Sequence, residues 1–88
     1  MMTVAQYVAA VQAILTAAEF DATFEPYQSG NYICSYGVKQ VVAKNLGATT
    51  VQFMSMDATF SRTDDLSNPK QIAPIANALM AYCANQPH

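Results

Sequence analysis

Near the amino end, Val4, Tyr7, Val8, Val11, Ile14, Leu15 and Ala18 recur at intervals of three and four, and Ile72, Ile75, Ala76, Leu79 and Cys83 do the same near the carboxyl end. A period close to 3.6 gathers each set onto one side of a helix, which must then be covered by something else. With 88 residues there is room for one domain, so both stripes must close on a surface built from the chain between them. That requirement constrains the architecture more than any other feature.

Both helices carry end signals. Thr3 followed by Gln6 has the spacing of a capping box, and the Glu19–Asp21 step opposes the helix dipole, so the first helix is expected over about 3–19. Its other side, with Gln6, Ala9, Gln12, Ala13 and Thr16, is small and neutral. Ser67-Asn68-Pro69 supplies cap candidates and a first-turn proline for a helix over about 69–84. Pro74 then either kinks that helix or marks its true start after a separate turn at 69–73. Residues 85–88 read as a frayed tail.

Between the helices the pattern changes period. Strands are expected over about 22–28, 31–44 and 49–61. Pro26 assigns the first to a sheet edge, because proline has no ladder donor. Tyr32, Cys34, Tyr36, Val38 and Val42 share one parity in the second, with Gly37 marking a bulge or bend. Gln28-Ser29-Gly30-Asn31 and Asn45-Leu46-Gly47-Ala48 are turn signals. In the third, Val51 and Phe53 lie on one parity and Met54, Met56, Ala58 and Phe60 on the other, implying a bulge or burial on both faces. The expected fold is α+β, a two-layer αβββα sandwich: helix, three-stranded antiparallel meander, helix, with both helices on one face. The alternative is αββαβα, in which Val38, Val41, Val42 and Leu46 form a short helix at 38–46 ending on Gly47. The tetrapeptide at 21–24 recurs at 57–60, but the flanking residues do not repeat, so no duplication is inferred.

Composition bears on function chiefly by exclusion. Hydrophobic residues make up 52% and charged residues 11%, so the surface is polar but weakly charged, and such a surface resists self-association poorly. Four basic side chains, Lys39, Lys44, Arg62 and Lys70, cannot neutralise a run of phosphates, which argues against a nucleic-acid partner. No secretion signal and no membrane-spanning run is evident. Cys34 and Cys83 match neither a disulfide framework nor a zinc spacing, and read as buried thiols in a reduced, cytoplasmic protein, with a single bridge between them as the alternative.

No catalytic constellation emerges. The single histidine is His88, the last residue, and phosphate loops, nucleophile elbows and metal-binding His or Cys pairs are absent from the sequence. No cofactor is implied. Residues 57–68 concentrate charge, and Asp57, Asp64 and Asp65, helped by Asn68, are the oxygen ligands a divalent cation would use if one bound. A plainer account makes Asp57 a strand end, Asp64 and Asp65 turn and dipole residues ahead of the last helix, and Arg62 their exposed partner.

Tyr27, Tyr32 and Tyr36 cluster around the first hairpin. They would form an interaction surface on an uncovered sheet face, or fill the core under the helices. The functional expectation is a non-enzymatic protein-interaction module that occludes or bridges a protein partner, alone or as a homodimer. Inhibitor-type accessory proteins of phages and mobile elements share this size and composition, an analogy with no motif behind it. The alternative is a small-ligand or divalent-metal domain using the 57–68 corner.

Overall fold

The computed structural model describes residues 1–85. His88 and most of the expected tail at 85–88 lie outside them. The elements run α1 (Val4–Ala17), β1 (Thr23–Pro26), β2 (Tyr32–Tyr36), β3 (Lys39–Asn45), β4 (Thr50–Ser55), β5 (Ser61–Asp65) and α2 (Ile72–Ala84), with 3₁₀ turns at Gln28–Gly30 and Pro69–Gln71. The strands form one antiparallel sheet in the order β1-β2-β3-β4-β5. The α+β class stands, and residues 39–45 are strand, not the alternative helix at 38–46. The expected three strands are five, because the second folds back on itself and a further strand, β5, forms almost wholly beyond the expected end of the third at 61.

The first fold-back is at Gly37. Its φ of +60, followed by a Val38 without positive φ, is the pattern of a two-residue type II′ turn, so the glycine makes a hairpin and not a bulge. The second, at 56–60, has no glycine. Ala58 adopts a φ of +63, a conformation that costs a non-glycine residue energy and must be held from outside. Asp57 does the holding: Oδ1 accepts from Ser55 Oγ at 2.6 Å, Thr59 N at 3.0 Å and Thr59 Oγ1 at 2.7 Å. Its Oδ2 accepts from the Tyr82 hydroxyl at 2.9 Å, tying the loop to α2. The parity change expected near Phe53–Met56 is therefore where β4 ends.

The α1 capping box forms in both directions, Gln6 N donating to Thr3 Oγ1 and Thr3 N to Gln6 Oε1. At the other terminus the Pro69 turn is separate, and α2 starts at Ile72. Pro74 falls in its first turn, where a missing N–H leaves no intrahelical bond unmade.

The core lies between the helices and one face of the sheet. Tyr7, Val11 and Leu15 of α1 and Ile75, Ala76 and Leu79 of α2 close on Cys34, Val41, Ala43, Val51 and Phe53. Two hydrogen bonds show how α1 lies across the sheet: Tyr7 reaches Asp64 on β5, and Gln12 reaches the backbone beside β1. Cys34 and Cys83 are both buried and free.

Asp64 departs most from the sequence reading. Expected as a turn residue, it is 1% exposed on the core side of β5. Its Oδ2 accepts from the Tyr7 hydroxyl at 2.5 Å, while Oδ1 has no hydrogen-bond partner among the described residues. A buried carboxyl group held by one partner is costly to disturb, because removing that partner leaves a second buried oxygen unpaired. Tyr7→Phe is expected to lower the unfolding free energy by about 1–3 kcal/mol. Adding Asp64→Leu should recover most of that loss, since both polar partners then go together. Urea unfolding of the two single variants and the double variant measures the coupling.

Burial, and then the bond to Asp64, push the Tyr7 hydroxyl well above its usual 10.0. Burial, followed by the neighbouring Cys83, pushes the Cys34 thiol up to about 12 from 9.0. Both groups hold their protons more tightly in the folded state. The stability they lend is full below their unfolded values and is lost as pH rises towards the folded ones. The urea midpoint should fall from pH 9 upwards, and less steeply in Tyr7→Phe.

Candidate functional site

Because both helices cover one face, the sheet register decides which side chains are left on the other. Cys34, Val41, Ala43, Val51, Phe53 and Asp64 point to the core, so their strand neighbours point away. Tracing the pairs Glu25↔Ile33, Ile33↔Val42, Val42↔Met54 and Met54↔Ser61 gives one row across all five strands. Ile33, Val42 and Met54 make its centre apolar. Ile33 and Val42 are half-buried by their neighbours, and Met54 is 39% exposed.

Met56 extends this apolar strip towards one end of the sheet. It is 60% exposed, and its N–H donates to the Gln40 carbonyl at 2.9 Å, bringing the β4–β5 loop against β3. Val38, at the tip of the β2–β3 turn, is 99% exposed. A type II′ turn does not need a valine there. Between the row and the loop lies a depression of about 390 Å³ lined by Val42, Lys44, Gln52, Met54, Met56 and neighbouring loop residues.

The sheet's edges differ from its face. On the β1 side the Phe24 N–H, unused by the ladder, donates to Gln12 Oε1 at 2.7 Å, and Gln12 Nε2 donates to the Ala22 carbonyl at 3.1 Å. On the β5 side the Asp65 N–H donates to Gln71 Oε1 at 2.7 Å. A glutamine from the helical layer thus engages each edge, and edges so engaged are poor templates for another strand.

The tyrosines divide. Tyr32 and Tyr36 share the core-facing parity of Cys34 and pack against the core, the Tyr36 ring stacked on Phe20 at 4.7 Å between centroids. Tyr27 is 37% exposed in the β1–β2 connection. Of the two arrangements open to these residues, Tyr32 and Tyr36 adopt the one beneath the helices, and the uncovered face is carried by Ile33, Val42, Met54 and Met56. The signal was in the sequence, since fixing Cys34 as core fixes Ile33 as outward. Gly37 taken as a bulge hid it, because the parity of Val38 and Val42 then seemed to continue that of Tyr36.

Nor does the structure gather the acidic corner. Asp57 sits in the β4–β5 loop, Asp64 is buried on the core face, and Asp65 points from the opposite face. Among the described residues no three His, Cys, Asp or Glu side chains are grouped to hold a metal ion. Each carboxylate has a local task. The Ser55 hydroxyl, then the Thr59 amide and hydroxyl, hold the Asp57 carboxyl well below the usual range. Ser67, through its hydroxyl at 2.7 Å and its amide at 2.8 Å, lowers that of Asp65.

A third polar group lies at the carboxyl end of α2. Lys39 Nζ donates to the Tyr82 and Asn85 carbonyls at 2.8 and 2.6 Å and sits 4.6 Å from the Tyr82 ring centre. A cation is favourable at a helix carboxyl end, and on the Tyr82 carbonyl it adds a second donor to the Asn85 N–H. The adjoining cleft of about 410 Å³ is lined by Val38, Lys39, Gln40, Met56, Asp57 and Tyr82. Its Lys39, Tyr82 and Asp57 groups are engaged with one another and with backbone.

No family model, curated protein or solved structure matches the chain. No helix among the described residues is long and apolar enough to cross a membrane.

The two faces make opposite stability predictions. Tyr36→Ala removes a ring packed against the core and should cost about 2–4 kcal/mol. Met54→Gln alters only the open face and should stay within about 0.5 kcal/mol of the parent. Paired thermal melts decide, since 1 kcal/mol is worth roughly 4–8 °C in a domain of this size.

Proposed function

We propose that this protein is a non-enzymatic protein-interaction module whose docking surface is the open face of the sheet, centred on Ile33, Val42, Met54 and Met56. The observation that carries the reading is the in-register apolar row on a face that neither helix covers. The buried core lies on the other side of the sheet. Aromatic residues and methionine concentrate at interface centres, and a flexible thioether adapts to a partner's contour. Engagement of both edge strands by Gln12 and Gln71 favours packing on the face over strand addition at an edge.

Photo-cross-linking in the native host tests this. A photoreactive amino acid replacing Met54 should trap protein adducts that are absent when it replaces Ala9 on the exposed side of α1. Val42→Lys in the Met54-labelled chain should abolish them. Equal adducts from both positions, or none from position 54, would sink the reading.

A further inference from the structure

We infer that Met54 and Met56 form a reversible oxidation site, at which peroxide turns the apolar strip of the open face polar and so releases a protein docked there. The inference rests on the open face being a docking surface, as proposed above, and names what controls it.

Sulfur enters the chain in five methionines and two cysteines. Both cysteines are buried. Oxidation of a cysteine starts from its thiolate, and burial pushes both thiols above their usual value, Cys34 to about 12. Access and protonation therefore both shield them from a dissolved oxidant. A thioether has no proton to lose, so its oxidation follows its exposure. Met2 and Met80 are packed against the core. Met54 and Met56 are 39% and 60% exposed, and Met1 is 74% exposed. Apart from Met1, the sulfur atoms open to solvent among the described residues lie together on one strip of the open face.

Their placement makes that strip sensitive to the change. Met54 stands in the apolar row between Val42 and Ser61. The intervening Ser55 is buried towards the core, so Met54 and Met56 share the outward side. Both line the depression that also holds Val42, Lys44 and Gln52.

In the reaction a lone pair of the thioether sulfur attacks one oxygen of hydrogen peroxide. The S–O bond forms as the O–O bond breaks, and sulfur gives up two electrons. The departing hydroxide takes the proton left on the transferred oxygen and becomes water. The product is a polar sulfoxide whose oxygen accepts hydrogen bonds, and the Lys44 ammonium and Gln52 amide in the same depression carry N–H donors for it. An apolar surface docked on the strip would then have to bury a polar group without a partner of its own. Neither methionine belongs to the core, so the packing beneath α1 and α2 is left as it was. Methionine sulfoxide reductases reverse the step: two thiols supply the electrons, leave as a disulfide, and the oxygen leaves as water.

Peroxide treatment of the purified chain, followed by peptide mass spectrometry, tests the site. Met54 and Met56 should each gain an oxygen about tenfold sooner than Met2 and Met80, with Cys34 and Cys83 still free thiols. The oxidised chain should melt within about 4 °C of the parent. Freed of peroxide and added unlabelled to host extract, it then competes with the Met54-photolabelled chain for protein adducts. The unoxidised chain should suppress those adducts, and the chain oxidised at Met54 or Met56 should need about tenfold more to do so. Methionine sulfoxide reductases with dithiothreitol should restore its potency. A form oxidised at Met1 alone, separated chromatographically, should compete like the parent, because Met1 lines a different depression beside the start of α1. Oxidation at Met54 and Met56 no faster than at Met2 and Met80 overturns the inference. So does an oxidised chain that unfolds, an oxidised competitor as potent as the parent, or a Met1 sulfoxide that is equally weak. Each of these leaves the interaction reading intact. An absence of position-54 adducts before any oxidation removes that reading, and this inference with it.

Discussion

The hydrogen bond from Tyr7 to Asp64 joins the first helix to the last strand and ties the two layers together inside the core. Residues 57 apart in sequence are fixed side by side in the core. The Met2 N–H reinforces the link by donating to the Leu66 carbonyl at 3.1 Å. From this anchor α1 runs over the sheet until Gln12 meets β1. A helix tied at two points in this way lies on one face of the meander, with its apolar stripe against the core. Every side chain of opposite parity is then left outside, so the open face follows from the anchor.

How the face and edges are treated also follows from having only two layers. A third layer would cover the open face, but the helices available are α1 and α2, and both stripes are used on the core. The edges lie within reach of those helices and their flanking turns, and one glutamine at each end engages them. A neutral amide can accept from an N–H without the desolvation penalty of a buried charge. The face is beyond that reach. It keeps a row of apolar side chains with Lys44, Glu25 and Asp65 set around them.

Much of the architecture was legible in the sequence. Both helices, the Thr3–Gln6 box, β1 as an edge strand and the loop around Gly47 follow from local rules acting over three or four residues, whereas a separate Pro69 turn was only one of two arrangements the local sequence allowed. What was hidden depended on contacts between distant segments. The β5 sequence Ser61-Arg62-Thr63-Asp64-Asp65 contains no apolar residue, so alternation of hydropathy cannot reveal which side is buried. Its burial becomes readable only with Tyr7 opposite, since a tyrosine within an apolar stripe needs a partner for its hydroxyl. The β4–β5 turn was missed because Ala58 has no intrinsic tendency to positive φ, and the Asp57 carboxylate imposes it. Tyr32 and Tyr36 were open to either face for the same reason, a parity that only the Gly37 turn resolves.

The charges explain why a chain so poor in them leaves an apolar row uncovered. Of four basic and six acidic side chains, several are taken up by the fold itself. Lys39 closes the end of α2, Asp57 holds a turn, Asp64 lies in the core, Asp65 caps a loop, and Arg62 faces inward beside Phe53. Glu19, Asp21, Glu25, Lys44 and Lys70 remain to keep the surface hydrated. A large, well-charged protein can scatter repulsive residues over every exposed strand. Here that supply is short, and a glutamine amide engages one backbone N–H on each edge instead. Among the described residues, the apolar row on the face is thus a surface feature for which neither turn chemistry, capping nor core packing gives a reason, and the functional reading rests on it.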